Sequence, residues 1–174
     1  MRGRLVAGNW KSNGDLAANQ RLLGQLRAGA AALDGAECAV CVPYPFLAQT
    51  QQLLAGAAVT WGAQDVSEFG AGAYTGAVTA AMLREFGCRY VIVGHSERRT
   101  LFGETDEIAA EKYVAARRAG LTPVFCVGET LKDREAGNTF VVLEDHLQNG
   151  LVNIAKEDVL RMVIAYEPVW AIGT

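Results

Sequence analysis

Residues 91–99 read VIVGHSERR, and the order of residue types across these nine positions decides the fold class. Three β-branched apolar residues run unbroken, the mark of a strand buried on both faces of a sheet. Gly94 ends the run, and His95, Ser96 and Glu97 follow in the pattern of a helix N-terminus. A strand that turns at once into a helix is the repeating step of a parallel sheet, whose strands are joined by helical crossovers.

Outward from this stretch the same step recurs. Apolar runs of strand length lie at Leu5–Ala7, Ala39–Val42, Val59–Ala63, Tyr90–Val93, Val124–Val127 and Met162–Tyr166. Between them, Leu16, Leu23, Leu26, Ala30 and Leu33 are spaced to share one helix face, as are Phe140, Leu143, Leu147, Leu151 and Ile154. Gly87 and Gly120 stand where helices would stop. The pattern is α/β, and two architectures fit it: an open doubly wound sheet or a (β/α)8 barrel. The phosphate turn of the first, G-x-G-x-x-G, is missing from GNWKSNG after the first strand and from GAGAYTG at 70–76. The barrel gains from the polar residues. Asn9, Lys11, Gln64, His95, Glu129 and Glu167 each fall at or just beyond a strand end, on the face where barrel enzymes gather their chemistry. The expected fold is a (β/α)8 TIM barrel with only its first six strand–helix units represented, residues 1–174 forming a single, incomplete domain.

Composition narrows the function. The 174 residues carry a net charge of -3, with 51% hydrophobic and 20% charged residues and no basic block, which disfavours nucleic acid and anionic membranes as partners. No stretch reaches the 18 apolar residues of a membrane span, and the N-terminus lacks a signal-peptide pattern, so a cytoplasmic protein is expected. Cys38 and Cys41 have C-x-x-C spacing within a strand, where residues three apart face opposite ways. Reduced thiols are expected, and with two histidines and no H-E-x-x-H, no metal.

Three residues could carry catalysis. A histidine at a helix N-terminus has its cationic form disfavoured by the dipole, so a neutral His95 could donate a hydrogen bond to a carbonyl oxygen. The alternative is a structural histidine. Glu167, closing an apolar run before Pro168, should be partly desolvated, with its pKa raised toward that of a useful base. Its alternative is an arginine partner at the sheet rim. Lys11 lies two residues beyond Asn9, so in an extended segment both face one side and suit a phosphate or a developing oxyanion. Its alternative is a solvated charge. A base, a neutral acid and a cation meeting at one barrel mouth suggest proton abstraction beside a carbonyl.

AGNWKSN, GAQDVS, GAYTGAVTAAML, VIVGHSERR, CVGETL and AYEPVWAIGT together resemble the triosephosphate isomerase family, in order and at family spacing across the whole chain. The resemblance implies an isomerase that interconverts dihydroxyacetone phosphate and glyceraldehyde 3-phosphate through an enediolate, in glycolysis and gluconeogenesis, with no cofactor. It implies that Glu167 shuttles the proton, that His95 polarises the carbonyl, and that Lys11 and Asn9 bind substrate and steady the enediolate. It further implies that Gly173 offers its N–H to the phosphate and that Pro168, Val169 and Trp170 form the lid's first hinge. Ser96, Glu97 and Cys126 would surround the histidine and lysine. The 70–79 loop, with Tyr74, Thr75 and Gly76, would dock into a second copy to make a homodimer. Asp65 stands where asparagine is common, and Ala77 where a glutamate often stands.

The chain ends at Thr174, seven residues after Glu167. A complete barrel of this class takes about 250 residues. The sequence is therefore expected to be part of a longer protein, with its first and sixth strands as open apolar edges. A second reading, from another class, is an inactive partial barrel that serves only as an interaction module.

Overall fold

Each apolar run becomes a strand: β1 (Arg4–Asn9), β2 (Ala36–Val42), β3 (Val59–Ala63), β4 (Tyr90–Val93), β5 (Thr122–Val127) and β6 (Val163–Tyr166). The computed structural model describes residues 3–30, 35–152, 154–160 and 162–172. The strands are all parallel and lie in the order β1-β2-β3-β4-β5-β6. A doubly wound sheet reverses its strand order at a switch point. Strictly sequential order removes that alternative and leaves the first six staves of a TIM barrel.

Helices α1 (Leu16–Gly29), α2 (Leu47–Leu54), α3 (Ala80–Glu85), α4 (Ser96–Phe102), α5 (Asp106–Arg118), α6 (Leu131–Glu135), α7 (Thr139–Gly150) and α8 (Lys156–Val159) occupy the connections. The starts of α1, α3, α5 and α6 are fixed by short polar side chains that accept otherwise unpaired N–H groups. Asp15 accepts from Ala18 and Thr105 from Ile108, and Thr130 with Asp133 forms a reciprocal capping box. Gly87 and Gly120 end α3 and α5 in the left-handed region, at φ 71° and 80°, as their placement in the sequence predicts.

The sheet divides the core in two. Leu23, Val42, Leu54, Val91, Tyr113 and Phe125 fill the layer between strands and helices. Ala39, Cys41, Tyr90, Ile92, Val124 and Cys126 line the other face. Cys38 packs with the first group and Cys41 with the second, opposite faces as expected, and all four cysteines are free.

The helix stripes are only partly realised. Leu23 is buried and Leu26 packs on the core, but Leu16, the first residue of α1, is exposed, and Leu33 lies outside the described residues. In the second stripe Leu143, Leu147, Leu151 and Ile154 pack inward while Phe140 stays exposed in the first turn of α7. Among the described residues β1 pairs only with β2 and β6 only with β5, and Val6, Ile164 and Tyr166 are exposed, so both edges are open and apolar. No described helix is long and apolar enough to cross a membrane. No group of three or more His, Cys, Asp or Glu among the described residues could hold a metal ion.

Candidate active site

The carboxyl ends of β1, β3, β4 and β6 bring their polar residues together, although not always by the route the sequence suggests. Lys11 is not in extended backbone. It sits at φ 52°, in the left-handed region, and its N–H donates to Asn9 Oδ1 at 2.9 Å. A residue other than glycine held there costs on the order of 1–2 kcal/mol, so something must hold it. Gln64 does: its Nε2 donates to the carbonyls of Lys11 and Cys41, each at 2.9 Å. Asn9 and Lys11 thus line one cleft because of a pinned turn, not strand alternation.

From Lys11 a chain of contacts runs to Glu167. The Lys11 ammonium lies 2.7 Å from Glu97 Oε1 in the first turn of α4. The Glu97 N–H donates to His95 Nδ1 at 3.2 Å. A ring nitrogen that accepts carries no proton, so the proton sits on Nε2 and the imidazole is neutral. Nδ1 also stands 3.6 Å from Glu97 Oε2, too far for a hydrogen bond, so the amide contact decides the tautomer. Nε2 donates to Glu167 Oε1 at 2.9 Å, and the Ser96 N–H donates to Oε2 at 3.2 Å. Among the described residues no arginine contacts Glu167, so the arginine partner is not found there.

Two glycines allow this approach. Gly94, at φ 71°, makes the turn from β4 into His95, where a Cβ would come 2.9 Å from Arg99 Nη2. Gly128 follows β5, where a Cβ would lie 1.8 Å from the Glu167 carbonyl oxygen. Only a residue without a side chain lets the end of β6 settle there, with the Glu167 N–H donating to Val127 O at 2.8 Å.

The expected rise in the Glu167 pKa is not found. Burial, the largest influence, does push its carboxyl up, but the His95 hydrogen bond and the Ser96 amide together hold it below the ordinary value. The sequence reading counted desolvation and could not count donors from another strand. Cys126 lies beside Glu167, and burial and that carboxylate push its thiol far up, so it stays protonated.

The residues expected to form the hinge lie in a separate cluster. Val169–Ala171 make one 3-10 turn after Pro168. Trp170 Nε1 and the Tyr166 hydroxyl each donate to Glu129 Oε1 at 3.0 Å, and the Arg134 guanidinium lies 4.2 Å over the Trp170 ring. Glu129 does follow β5, but its fully buried side chain turns to Tyr166 and Trp170 and does not line the cleft. Gly173 lies outside the described residues. Tyr74, Thr75 and Gly76 sit on an exposed loop, where the Tyr74 ring stacks on Phe69 at 4.3 Å.

The cleft holds about 290 Å³, with Asn9, Lys11, Gln64, His95 and Glu97 in its wall. Sequence reasoning noted Gln64 but missed its hold on Lys11, and it missed Gly128 altogether. A glutamine directly after an apolar run and a glycine directly after another were the available signals. Glu167 is not in the cleft wall and meets it through His95, and the fold is a barrel whose polar groups gather at the strand carboxyl ends.

The family model for triosephosphate isomerase matches residues 4–174. A triosephosphate isomerase of Thiobacillus denitrificans is 57% identical over 174 residues, covering 100% of this chain and 69% of the relative. One from Bordetella pertussis is 59% identical over 173 residues, covering 99% of this chain and 69% of the relative. The crystal structure of triosephosphate isomerase from Bartonella henselae superposes with a TM-score of 0.89 at 39% identity, covering 98% of this chain and 70% of that one. The chain belongs to the triosephosphate isomerase family and is an isomerase by that membership.

Proposed function

We propose that the protein interconverts dihydroxyacetone phosphate and D-glyceraldehyde 3-phosphate by moving one proton between adjacent carbons. The observation that carries the proposal is the 2.9 Å contact between His95 Nε2 and Glu167 Oε1, with the Lys11 ammonium one residue pair away on Glu97. A carbonyl oxygen brought to Nε2 takes the hydrogen bond that Oε1 accepts. The freed carboxylate then faces the C–H beside that carbonyl. Losing the imidazole contact also removes the leading influence that holds the Glu167 pKa down, and burial, still present, makes it a stronger base.

Glu167 removes the proton, His95 Nε2–H stabilises the oxygen as negative charge grows, and the Lys11 ammonium lies close enough to share that charge. His95 passes its Nε2 proton to that oxygen and takes up the proton of the hydroxyl on the deprotonated carbon, and Glu167 returns the carbon proton to the former carbonyl carbon. Asn9 and Lys11 are substrate contacts in this reading, and the Gly173 N–H would bind the phosphate. Ser96, Glu97 and Cys126 set the positions of His95 and Glu167. Pro168, Val169 and Trp170 act as the hinge of a lid.

The residues form one domain and work in the cytoplasm as a homodimer, joined through the 70–79 loop. Nine consecutive exposed positions at 69–77 support that docking role. An assay coupled to glyceraldehyde 3-phosphate oxidation tests the reading. Turnover that disappears in His95→Asn is the expected result. A folded chain with no turnover in either direction would overturn the proposal for this polypeptide and leave the interaction module in its place.

A further inference from the structure

Lys112 lies on α5, is 5% exposed, and takes no part in the reaction drawn above. Its ammonium stands between two carboxylates, 2.7 Å from Asp65 Oδ1 and 2.6 Å from Glu104 Oε2. Each carboxylate continues toward the active site by a different path. Asp65 follows Gln64, whose amide pins the Lys11 turn. Glu104 accepts the Gly94 N–H through its other oxygen at 3.0 Å, directly before His95. Arg98 completes a square, 3.0 Å from Asp65 Oδ2 and 2.9 Å from Glu104 Oε2. Gly94 is gripped on its other side by Arg99 Nε, which donates to its carbonyl at 2.7 Å.

Two cations and two carboxylates balance, so the square carries no net charge. Burying it costs desolvation that the ion pairs only about repay, which makes it a weak source of stability. It is a strong source of geometry, because charge-assisted hydrogen bonds tolerate little displacement. We propose that Lys112 is a positioning residue that fixes the Lys11 turn and the His95 turn relative to each other, through Asp65 and Glu104. The proposal rests on the reading that Lys11 and His95 work together on one substrate.

Hydrogen exchange read by NMR tests it without requiring turnover. The probes are the Gly94 backbone N–H and the Gln64 side-chain amide. In Lys112→Met both should exchange at least about tenfold faster than in the wild type. In Lys112→Arg both should stay close to wild type. Arg117→Leu, which breaks the ion pair to Asp158 elsewhere, controls for general loosening and should leave both probes unchanged. Should Lys112→Met fail to fold, the charge-balanced pair Lys112→Met with Asp65→Asn keeps Arg98 against Glu104 and is read in the same way. Unchanged exchange at both probes in a folded variant overturns the proposal. So does failure of both variants to fold, which would make Lys112 a residue of general stability. An inactive wild type counts against the proposed function and not against Lys112, since the probes read the two turns directly.

Discussion

At the amino ends of the strands Glu37 Oε1 accepts from Thr60 Oγ1 at 3.0 Å and from the Tyr90 hydroxyl at 2.9 Å, and it forms an ion pair with Arg89 Nη1 at 2.9 Å. At the carboxyl ends Glu167 accepts from the His95 imidazole and the Ser96 N–H. Burial does not separate the two, since the Glu37 side chain is 27% exposed and that of Glu167 17%. Their donors do. A hydroxyl, a guanidinium and a phenol hold their protons near neutrality, and burial followed by the Glu37 bond pushes Tyr90 up to about 12. An imidazole is the side chain built to exchange a proton in that range. On the proposed function, a carboxylate at a strand end is structural or chemical according to what faces it, and the two rims of one sheet would hold one of each.

The most severe way to break the contrast is Glu167→Gln. Removing the base should lower kcat by about 10²–10⁴-fold while the fold stays intact with a small loss of stability, as a coupled assay and calorimetry would read. Gly128→Ala should come next. The new methyl collides with the Glu167 carbonyl, so kcat should fall by up to about 10²-fold through misplacement of the base. Stability should fall by about 1–3 kcal/mol. Glu37→Gln on the other rim should do the reverse. It leaves kcat within about twofold and costs about 1–2 kcal/mol in urea unfolding, because one carboxylate oxygen serves two donors and an ion pair there. Activity lost in Glu37→Gln would show that the rims are not independent.

The smallest expected effect is in pH. The folded Glu167 carboxyl lies below its ordinary value of 4.5, so its contribution to stability is present above that pH and is lost as pH falls through the lower folded value. The difference in urea midpoint between wild type and Glu167→Gln should therefore narrow as pH drops below 4.5. A difference that stays constant would contradict the His95 and Ser96 contacts.

Much of this was legible before any coordinates. Strands β3 and β4 coincide with the apolar runs read from the sequence, because a strand buried on both faces needs no polar alternation. The start of α4 at Ser96 followed from the glycine, histidine and polar residues in succession. The Lys11 turn was not legible, since its conformation is imposed by a glutamine 53 residues away. Glu129 misled for a related reason. Its place at a strand end was correct, but the indole and phenol that turn its carboxylate away lie on a later segment.

By itself the sequence determined the alternation of strands and helices, the caps, the left-handed glycines and which residues end up at strand mouths. These depend on neighbours within a few positions, where backbone sterics and local hydrogen bonds dominate. Only the tertiary structure decided that His95 Nε2 faces Glu167, why the Glu167 carboxyl titrates low despite its burial, and which charges brace the turns beneath them. Those properties arise from contacts of about 3 Å between groups up to 86 residues apart, and at such separations only packing sets the distance.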